Sequence, residues 1–270
     1  MEADALFLMG TGKAVCKDYA AHCRRPGWGA AVISDGCSQS SKSDIGARLL
    51  AESFLAVLLD YDGAANMDSR DIVAATKERL RSVAGPLRLP AGALDATLVA
   101  AVAGKNLRVF IWGDGHVLLI NKDSSRSLIS SSYANSAPYY LSYELLPENM
   151  AGYRKTFGEP LPLITIKTDN GVTPLSDVAP FYCQEIPIEN VDCVCVLSDG
   201  LNTFTTPASA EPIDPWLVLR DLADFKSYPG AFVQRRMVRF QKSALHAGMT
   251  HYDDISCAAL AFTEDGHECS

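Results

Sequence analysis

The sequence predicts an α+β fold, a layered sandwich of antiparallel strands and helices, on three observations. Its predicted strands follow one another in antiparallel runs, and its helices are grouped before and after them. The 270 residues are 48% hydrophobic and 21% charged, which provides for a sizeable core and excludes a disordered, collagen-like or coiled-coil chain. No repeat and no Pro/Gly/Ser-rich linker divides the sequence, so we expect residues 1–270 to form a single domain.

The first elements are a buried strand and two helices. Residues 28–34 form a short apolar run that ends in Asp35-Gly36, which is typical of a strand followed by a turn. Apolar residues then recur at helical spacing over 44–59 and again over 69–83. Both helices therefore need a sheet to cover their apolar faces.

The middle of the chain predicts an antiparallel meander over 95–103, 107–112 and 116–121. The last two strands are separated by Gly113-Asp114-Gly115, residue types that are typical of a tight hairpin turn. Residues 123–142 are rich in Ser, Tyr and Asn and predict an exposed excursion, either a substrate-facing flap or merely a loop. Further strands are expected at 161–168, 181–186 and 193–198.

The C-terminal part predicts two helices and a last strand. Asp214-Pro215 is a good helix start, because Asp caps free backbone amides and Pro is tolerated in the first turn. We expect helices over about 215–225 and 231–247, and a final strand over 255–262.

The charge and cysteine content narrow the function classes. The net charge is −8, so nucleic acid and anionic membranes are not expected partners, whereas divalent cations are. The longest apolar runs fall far short of the roughly 20 residues that span a bilayer, and Glu2 and Asp4 stand where a secretory signal carries Lys or Arg. We expect a cytoplasmic protein whose eight cysteines are free thiols.

Aspartates recur where the predicted strands end. Asp35-Gly36, Asp114-Gly115 and Asp199-Gly200 each follow an apolar strand, and Asp253-Asp254 precedes the last one. A single Asp-Gly is a common turn dipeptide and by itself indicates only a turn. Carboxylates that converge on one edge of a sandwich repel each other unless hard cations neutralise them. Oxygen ligands with no nearby His or Cys favour Mg²⁺ or Mn²⁺ over Zn²⁺.

These motifs resemble the metal-dependent serine/threonine protein phosphatases of the type 2C family, and the segment Asp44-Ile45-Gly46-Ala47 resembles its bacterial members. The resemblance is carried, in the family's order, by Asp18 in Val15-Cys16-Lys17-Asp18, by Val32-Ile33-Ser34-Asp35-Gly36, by Ala96-Thr97 ahead of Trp112-Gly113-Asp114, by Leu197-Ser198-Asp199-Gly200-Leu201 and by Asp253-Asp254-Ile255-Ser256. It implies a four-layer α-β-β-α sandwich, with two antiparallel sheets packed between helical layers.

The resemblance also implies a site and an activity. It implies two Mn²⁺ or Mg²⁺ ions held by Asp35 as the bridging ligand with the Gly36 carbonyl, by Asp199 and Asp253 on the other ion and by Asp18 through water, with Asp114 and Asp199 holding a weaker third ion. The implied reaction is hydrolysis of phosphoserine and phosphothreonine in proteins by attack of a water bound to both ions. The expected partners are a phosphorylated protein and a cognate Ser/Thr kinase, and the expected state is a monomer.

Lys13 is a candidate for binding the substrate phosphate. It lies five residues before Asp18, where many members of the family place an Arg, and a lysine serves the same purpose as a point charge. One alternative is a surface lysine in a loop. The other is a P-loop around Gly10-Thr11-Gly12-Lys13, but Phe7 and Ala14 stand where that motif needs Gly and Ser or Thr.

Three residues depart from the family's pattern. Cys37 follows Asp35-Gly36 where some members carry a His that is proposed to protonate the leaving group, so another acid or water is needed there. Lys17 occupies a place often held by an acidic or amide residue, and Asp254 replaces a frequent Asn. These departures support an alternative, a weakly active or inactive phosphatase-like regulatory module that binds a phosphorylated or kinase partner. The retention of every expected metal ligand argues against it.

Overall fold

Two antiparallel sheets pack face to face, and each carries helices on its outer side. The computed structural model describes residues 1–62, 67–90, 92–175, 179–207 and 211–262. The strands are β1 (Glu2–Leu8), β2 (Asp18–Arg25), β3 (Trp28–Asp35), β4 (Leu98–Ala103), β5 (Leu107–Trp112), β6 (Gly115–Asn121), β7 (Arg126–Ser132), β8 (Leu163–Thr168), β9 (Gly171–Leu175), β10 (Phe181–Ile186), β11 (Val191–Leu197), β12 (Phe204–Thr205), β13 (Thr250–His251) and β14 (Ile255–Ala261). The α-helices are α1 (Ser43–Asp60), α2 (Ser69–Ala84), α3 (Pro147–Phe157), α4 (Pro215–Leu222) and α5 (Phe232–His246).

The strands are arranged in a seven-stranded and a five-stranded sheet. The larger sheet has the order β1-β14-β11-β6-β7-β8-β9, and the smaller has the order β10-β5-β4-β3-β2. Strands β12 and β13 form a separate pair. Neighbouring strands of both sheets pair in antiparallel fashion, which confirms the predicted α+β class.

The apolar core lies in three layers. Aliphatic side chains such as Ile33, Val99 and Leu260 fill the space between the sheets and are fully buried. Helices α1 and α2 cover the outer face of the smaller sheet, where Phe54 packs edge-to-face on Phe110. Helices α4 and α5 cover the larger sheet. The four-layer α-β-β-α arrangement is therefore confirmed.

Aspartate side chains cap the starts of three helices. Asp68 accepts a hydrogen bond from the backbone amide of Arg70 in α2, and Asp214 accepts one from Trp216 in α4. The start of α5 is capped from a distant strand, because Asp4 of β1 accepts a hydrogen bond from the amide of Gln234 at 3.0 Å. Such caps satisfy amides that have no partner within the helix.

The predicted hairpin at Gly113-Asp114-Gly115 is wrong. Strand β5 belongs to the five-stranded sheet and β6 to the seven-stranded sheet, so this segment carries the chain from one sheet to the other. Gly113 and Gly115 adopt positive φ angles of 88° and 135°, and a Cβ on Gly115 would lie 2.8 Å from Cγ2 of Val99. The glycines therefore permit a tight corner between two sheets, which the residue types alone do not distinguish from a hairpin.

The predicted excursion over 123–142 is partly wrong, because it contains β7, which pairs with β6 and β8. The chain leaves the sheet only after Ser132 and passes through a short 3₁₀ helix, Leu141–Glu144, into α3. Several elements had no sequence prediction: β1, β2, β9, β12, β13 and α3.

Two further expectations concern cysteines and membranes. The seven cysteines in the described residues are free thiols, and Cys193, Cys195 and Cys257 are buried in the core; Cys269 lies outside the described residues. Across the described ranges, no helix combines the length and the apolar character needed to cross a membrane.

Candidate active site

The predicted aspartates converge at the end of the sandwich where strands of both sheets terminate. Asp18 begins β2 and is the register partner of Asp35, which ends β3. Asp114 lies at the corner between the sheets, Asp199 follows β11, and Asp253 precedes β14. All but Asp18 line one cleft of about 460 Å³. Asp18 is 4% exposed and lies beside Asp35.

In two of the Asp-Gly pairs, the glycine is required because the backbone of another segment passes close to it, and not because it forms a turn. A Cβ on Gly36 would lie 2.5 Å from the carbonyl oxygen of Ser43, and one on Gly200 would lie 1.8 Å from that of Asp254. Neither glycine has a positive φ. Gly36 therefore admits the start of α1 beside Asp35, and Gly200 brings the segment after β11 against the segment before β14.

The backbone around Asp35 is fixed by its neighbours. The Asp35 amide donates to Oγ1 of Thr97 at 3.0 Å, and the Thr97 amide donates to the Asp35 carbonyl at 2.9 Å. The Gly36 amide donates to the Lys17 carbonyl at 3.1 Å. Hydrogen bonds on both flanks thus hold the backbone of Asp35 in place where its side chain lines the cleft.

Burial, together with repulsion between carboxylates, raises the pKa of four of the aspartates. Burial is the largest cause throughout: it raises the pKa of Asp18 to about 7 and that of Asp114 to about 8. The pKa of Asp35 lies well above its ordinary value, through burial and through repulsion by Asp18 and Asp199. Burial and repulsion by Asp253 raise the pKa of Asp199 as well. The cluster is therefore short of positive charge.

The donor set fits a hard divalent cation. Neither carboxylate oxygen of Asp18 has a hydrogen-bond partner of good geometry, although the hydroxyls of Ser198 and Ser256 are close. An orphaned buried carboxylate is costly unless a cation compensates it. Within the described ranges, no group of three or more Asp, Glu, His or Cys side chains is arranged so that it could hold a metal ion by itself. Mg²⁺ and Mn²⁺ accept few protein ligands together with water, so such an open acidic cluster suits them.

Lys13 lies at this site and pairs with one of the predicted ligands. Its ammonium donates to Oδ1 of Asp253 at 2.6 Å. Burial by itself lowers the pKa of Lys13, but the hydrogen bond and the charges of Asp253, Asp254 and Asp35 outweigh it and raise that pKa. Lys13 is thus a cation at the edge of the acidic cluster and not a surface lysine remote from it.

Two of the departures from the family's pattern have structural roles. Asp254 is buried and accepts hydrogen bonds from the amides of Gly10 at 2.8 Å and Lys17 at 2.7 Å, which fixes the segment before β2. The Lys17 ammonium donates to the carbonyls of Cys37, Ser38 and Ser40 at 3.2, 2.9 and 2.9 Å. Lys17 therefore holds the loop 37–40 beside Asp35.

An aromatic wall also lines the cleft, and the sequence indicated it only through the excursion 123–142, which was expected as either a substrate-facing flap or a loop. The wall consists of Tyr140, Tyr143, Tyr153 and Phe157, which line the same cleft as Asp35 and Asp114. Its rings contact one another: Tyr140 and Tyr143 are 5.5 Å apart, and Tyr143 and Tyr153 are 5.6 Å apart.

A family model for protein phosphatase 2C matches residues 11–237. The matched range includes Lys13, Asp18, Asp35, Asp114 and Asp199, while Asp253 lies beyond it. No curated protein matches the chain.

Several solved structures of bacterial phosphatases resemble the chain over nearly its full length. The serine/threonine phosphatase Stp1 from Staphylococcus aureus is 14% identical with a TM-score of 0.57, covering 97% of this chain and 96% of that one. PppA from Pseudomonas aeruginosa, described as a key regulatory component of T6SS, is 20% identical with a TM-score of 0.51 and coverages of 96% and 97%. The serine/threonine phosphatase PstP/Ppp from Mycobacterium tuberculosis is 17% identical with a TM-score of 0.51 and coverages of 97% and 98%. These structures share the fold.

Proposed function

Because the chain belongs to the protein phosphatase 2C family, we propose that it is a metal-dependent protein phosphatase that hydrolyses phosphoserine and phosphothreonine in proteins. The observation that carries the proposal is the convergence of five aspartates from the strand ends of both sheets. Four of them have raised pKa values, and Asp18 has no hydrogen-bond partner of good geometry. A cluster of this kind supports a function that uses divalent cations.

We assign the metal-holding roles to the residues of this cluster. Asp35 with the Gly36 carbonyl, Asp199 and Asp253 would hold two ions, Mn²⁺ or Mg²⁺; Asp18 would act through water, and Asp114 with Asp199 would hold a weaker third ion. When bound, such ions lower the pKa of a water molecule and neutralise charge on the phosphoryl group. The chain's part is to keep the carboxylates in place through the hydrogen bonds around Asp35 and Asp254.

Lys13 is proposed to bind the substrate phosphate. Its ammonium already lies at the edge of the cluster, at 2.6 Å from Asp253. Cations on the aspartates would compete with this ion pair and free the ammonium for a phosphate oxygen. A lysine supplies charge without the paired hydrogen bonds of an arginine, so we expect weaker control of the phosphate's orientation.

The proposed substrates are phosphorylated proteins, and a serine/threonine kinase would be the enzyme that produces them. Proteins with this fold include PppA, which is described as a regulatory component of T6SS in Pseudomonas aeruginosa. We propose a signalling role of the same general kind, in which the chain reverses a phosphorylation. The proposed setting is the cytoplasm, with the chain acting as a monomer.

The test is hydrolysis of a phosphothreonine peptide and of p-nitrophenyl phosphate with Mn²⁺, with Mg²⁺ and with chelator. Turnover should require metal and should be lost in Asp35→Asn and in Asp199→Asn. Asp169→Asn, an exposed aspartate in the turn between β8 and β9, is the matched control and should keep full activity. A folded parent chain that binds metal without turnover would contradict the proposal and favour the inactive module that binds a phosphorylated or kinase partner.

A further inference from the structure

One aspartate outside the acidic cluster, Asp95, joins two segments that border the candidate active site. Its Oδ1 accepts a hydrogen bond from the Ser142 hydroxyl at 2.7 Å, and its Oδ2 accepts one from the Ser40 hydroxyl at 3.1 Å. Ser142 belongs to the segment between β7 and α3, whereas Ser40 belongs to the loop 37–40 after β3. Both oxygens of a single carboxylate are therefore used to hold together two segments that are far apart in the sequence.

Each of the two joined segments carries residues that line the cleft. Tyr140 and Tyr143 of the aromatic wall lie on either side of Ser142 in the chain, and residues 37–39 line the cleft from the loop. A phosphoserine that reached the aspartates would carry its flanking peptide chain past both of these surfaces. The distance between the wall and the loop therefore decides how well a peptide chain fits, and Asp95 bridges that distance.

The Ser142–Asp95 contact has open space on its other side. Both residues line a second groove of about 340 Å³, together with the apolar side chains of Leu94 and Leu146. A side chain in a packed core is held by neighbours on every side, whereas this groove leaves the wall room to shift. Leu141 is fully buried and keeps the segment attached to the core. The hydrogen bond to Asp95 therefore sets the position of the wall, and the fold does not depend on it.

The backbone of Asp95 is a firm anchor for this contact. The Cys37 amide donates to the Asp95 carbonyl at 2.8 Å. The next residue, Ala96, forms an antiparallel bridge with Gly36. Asp95 is thus attached to the end of β3, the strand end that carries the site, and its side chain passes that position on to Ser142.

We propose that Asp95 is a positioning residue for phosphorylated protein substrates: through Ser142 it holds the aromatic wall at the distance from the loop 37–40 that a bound peptide chain requires. The inference rests on the proposed phosphatase function. Because Asp95 acts through the two segments, its loss should weaken binding of the peptide chain and leave the chemical step unchanged. A phosphorylated amino acid without flanking residues should be insensitive to it.

The test compares a phosphoserine peptide with N-acetyl-phosphoserine amide, which has the same leaving group and no flanking residues. In Ser142→Ala, we expect KM for the peptide to rise about tenfold, as for the loss of one hydrogen bond to a charged acceptor, with kcat unchanged. Turnover of the small substrate should equal that of the parent chain. Asp95→Ala should raise the peptide KM at least as much. Asp95→Asn should stay closer to the parent chain, because an amide can accept from one serine and donate to the other.

Two further variants separate a positioning role from general damage. Adding Ser142→Ala to Asp95→Ala should raise the peptide KM no further, because both substitutions remove the same contact. Thr76→Val is the matched control: its buried hydroxyl donates to the Ile72 carbonyl at 2.8 Å within α2, so its loss should lower stability without changing KM for either substrate.

Three results would overturn the inference: an unchanged peptide KM in Ser142→Ala, equal losses on both substrates, or additive effects in the double variant. A rise in the peptide KM in Thr76→Val would also overturn it, because the effect would then follow stability. If the parent chain itself lacks metal-dependent turnover of any phosphate ester, the proposed function has failed, and the inference falls with it for that separate reason.

Discussion

A fully buried carboxylate destabilises a fold unless a cation, a proton or hydrogen bonds neutralise it. Asp18 is such a residue: it is buried, it lies beside Asp35, and its oxygens lack hydrogen-bond partners of good geometry. At the scale of single residues, the candidate site is therefore a place where the metal-free chain loses stability, and the proposed function would account for that loss through metal binding.

The substitution Asp18→Asn should stabilise the metal-free chain at alkaline pH. The pKa of Asp18 is about 7 in the folded chain and about 4 when unfolded. When folding raises the pKa of a carboxyl group, the group's contribution to stability is complete at pH values below the pKa in the unfolded chain. That contribution is lost as the pH rises through the pKa in the folded chain. In chelator, urea denaturation of Asp18→Asn should show a gain of about 4 kcal/mol at pH 8 that shrinks towards pH 4. The control Asp169→Asn should leave the free energy of unfolding unchanged at both pH 8 and pH 4. If Asp18→Asn is less stable than the parent chain at pH 8, this account is contradicted.

Most helices and strands could be predicted from the sequence, because the spacing of apolar residues within a short segment indicates which of the two it forms. The strands at 107–112 and 181–186 and both helices before the meander agree with the structure to within one residue. The corner at Gly113-Asp114-Gly115 could not be predicted, because glycines report a sharp turn but not which sheet the next strand joins. Strand β7 carries few apolar residues, so its sequence is typical of a loop and only its pairing with β6 and β8 defines it.

Gly200 joins two of the elements that carry the site, so Gly200→Ala should damage both stability and activity. The added Cβ would lie 1.8 Å from the Asp254 carbonyl oxygen, which forces the end of β11 away from the start of β14. We expect a loss of about 2–4 kcal/mol in the free energy of unfolding and a reduced affinity for metal. Gly104→Ala is the control, because no atom lies within 4 Å of its added Cβ. Equal urea midpoints for the two variants would refute the close approach.

Lys17 acts on the loop 37–40, so Lys17→Met should affect the site more than the fold. The methionine keeps an apolar stem but cannot donate to the three carbonyls that the ammonium contacts. We expect the metal concentration for half-maximal activity to rise, with a loss of about 1–2 kcal/mol in stability. Lys155→Met, on the exposed side of α3, should leave metal activation unchanged. If the metal concentration for half-maximal activity is unchanged in Lys17→Met, the position of the loop 37–40 does not affect the site.

At the scale of the whole molecule, the site is a product of how two sheets meet. Asp35, Asp114, Asp199 and Asp253 could be predicted from the sequence, because an aspartate at a strand end marks an edge wherever the strand lies. Asp18 came only from the family resemblance, because β2 was not predicted. Lys13 was reachable only through the family resemblance, in which a cation stands at that spacing from Asp18. Tyr140 lies in the excursion 123–142, which the sequence left open as a flap or a loop, because the segment between β7 and α3 is held at the cleft by a distant contact, that of Ser142 with Asp95.

Metal binding should therefore stabilise the whole sandwich and not one sheet alone. Asp35 ends a strand of the five-stranded sheet, whereas Asp199 follows a strand of the seven-stranded sheet. A ligand that binds only the folded chain adds about 2.7 kcal/mol at a hundredfold excess over its Kd, so saturating Mn²⁺ should raise Tm by about 5–10 °C. This rise in Tm should vanish in Asp35→Asn and equally in Asp199→Asn. In chelator, neither variant should have a lower Tm than the parent chain, because each substitution removes a repelling charge. A rise that survives in one of the two variants would mean that the metal is held by one sheet, and the shared site would have to be abandoned.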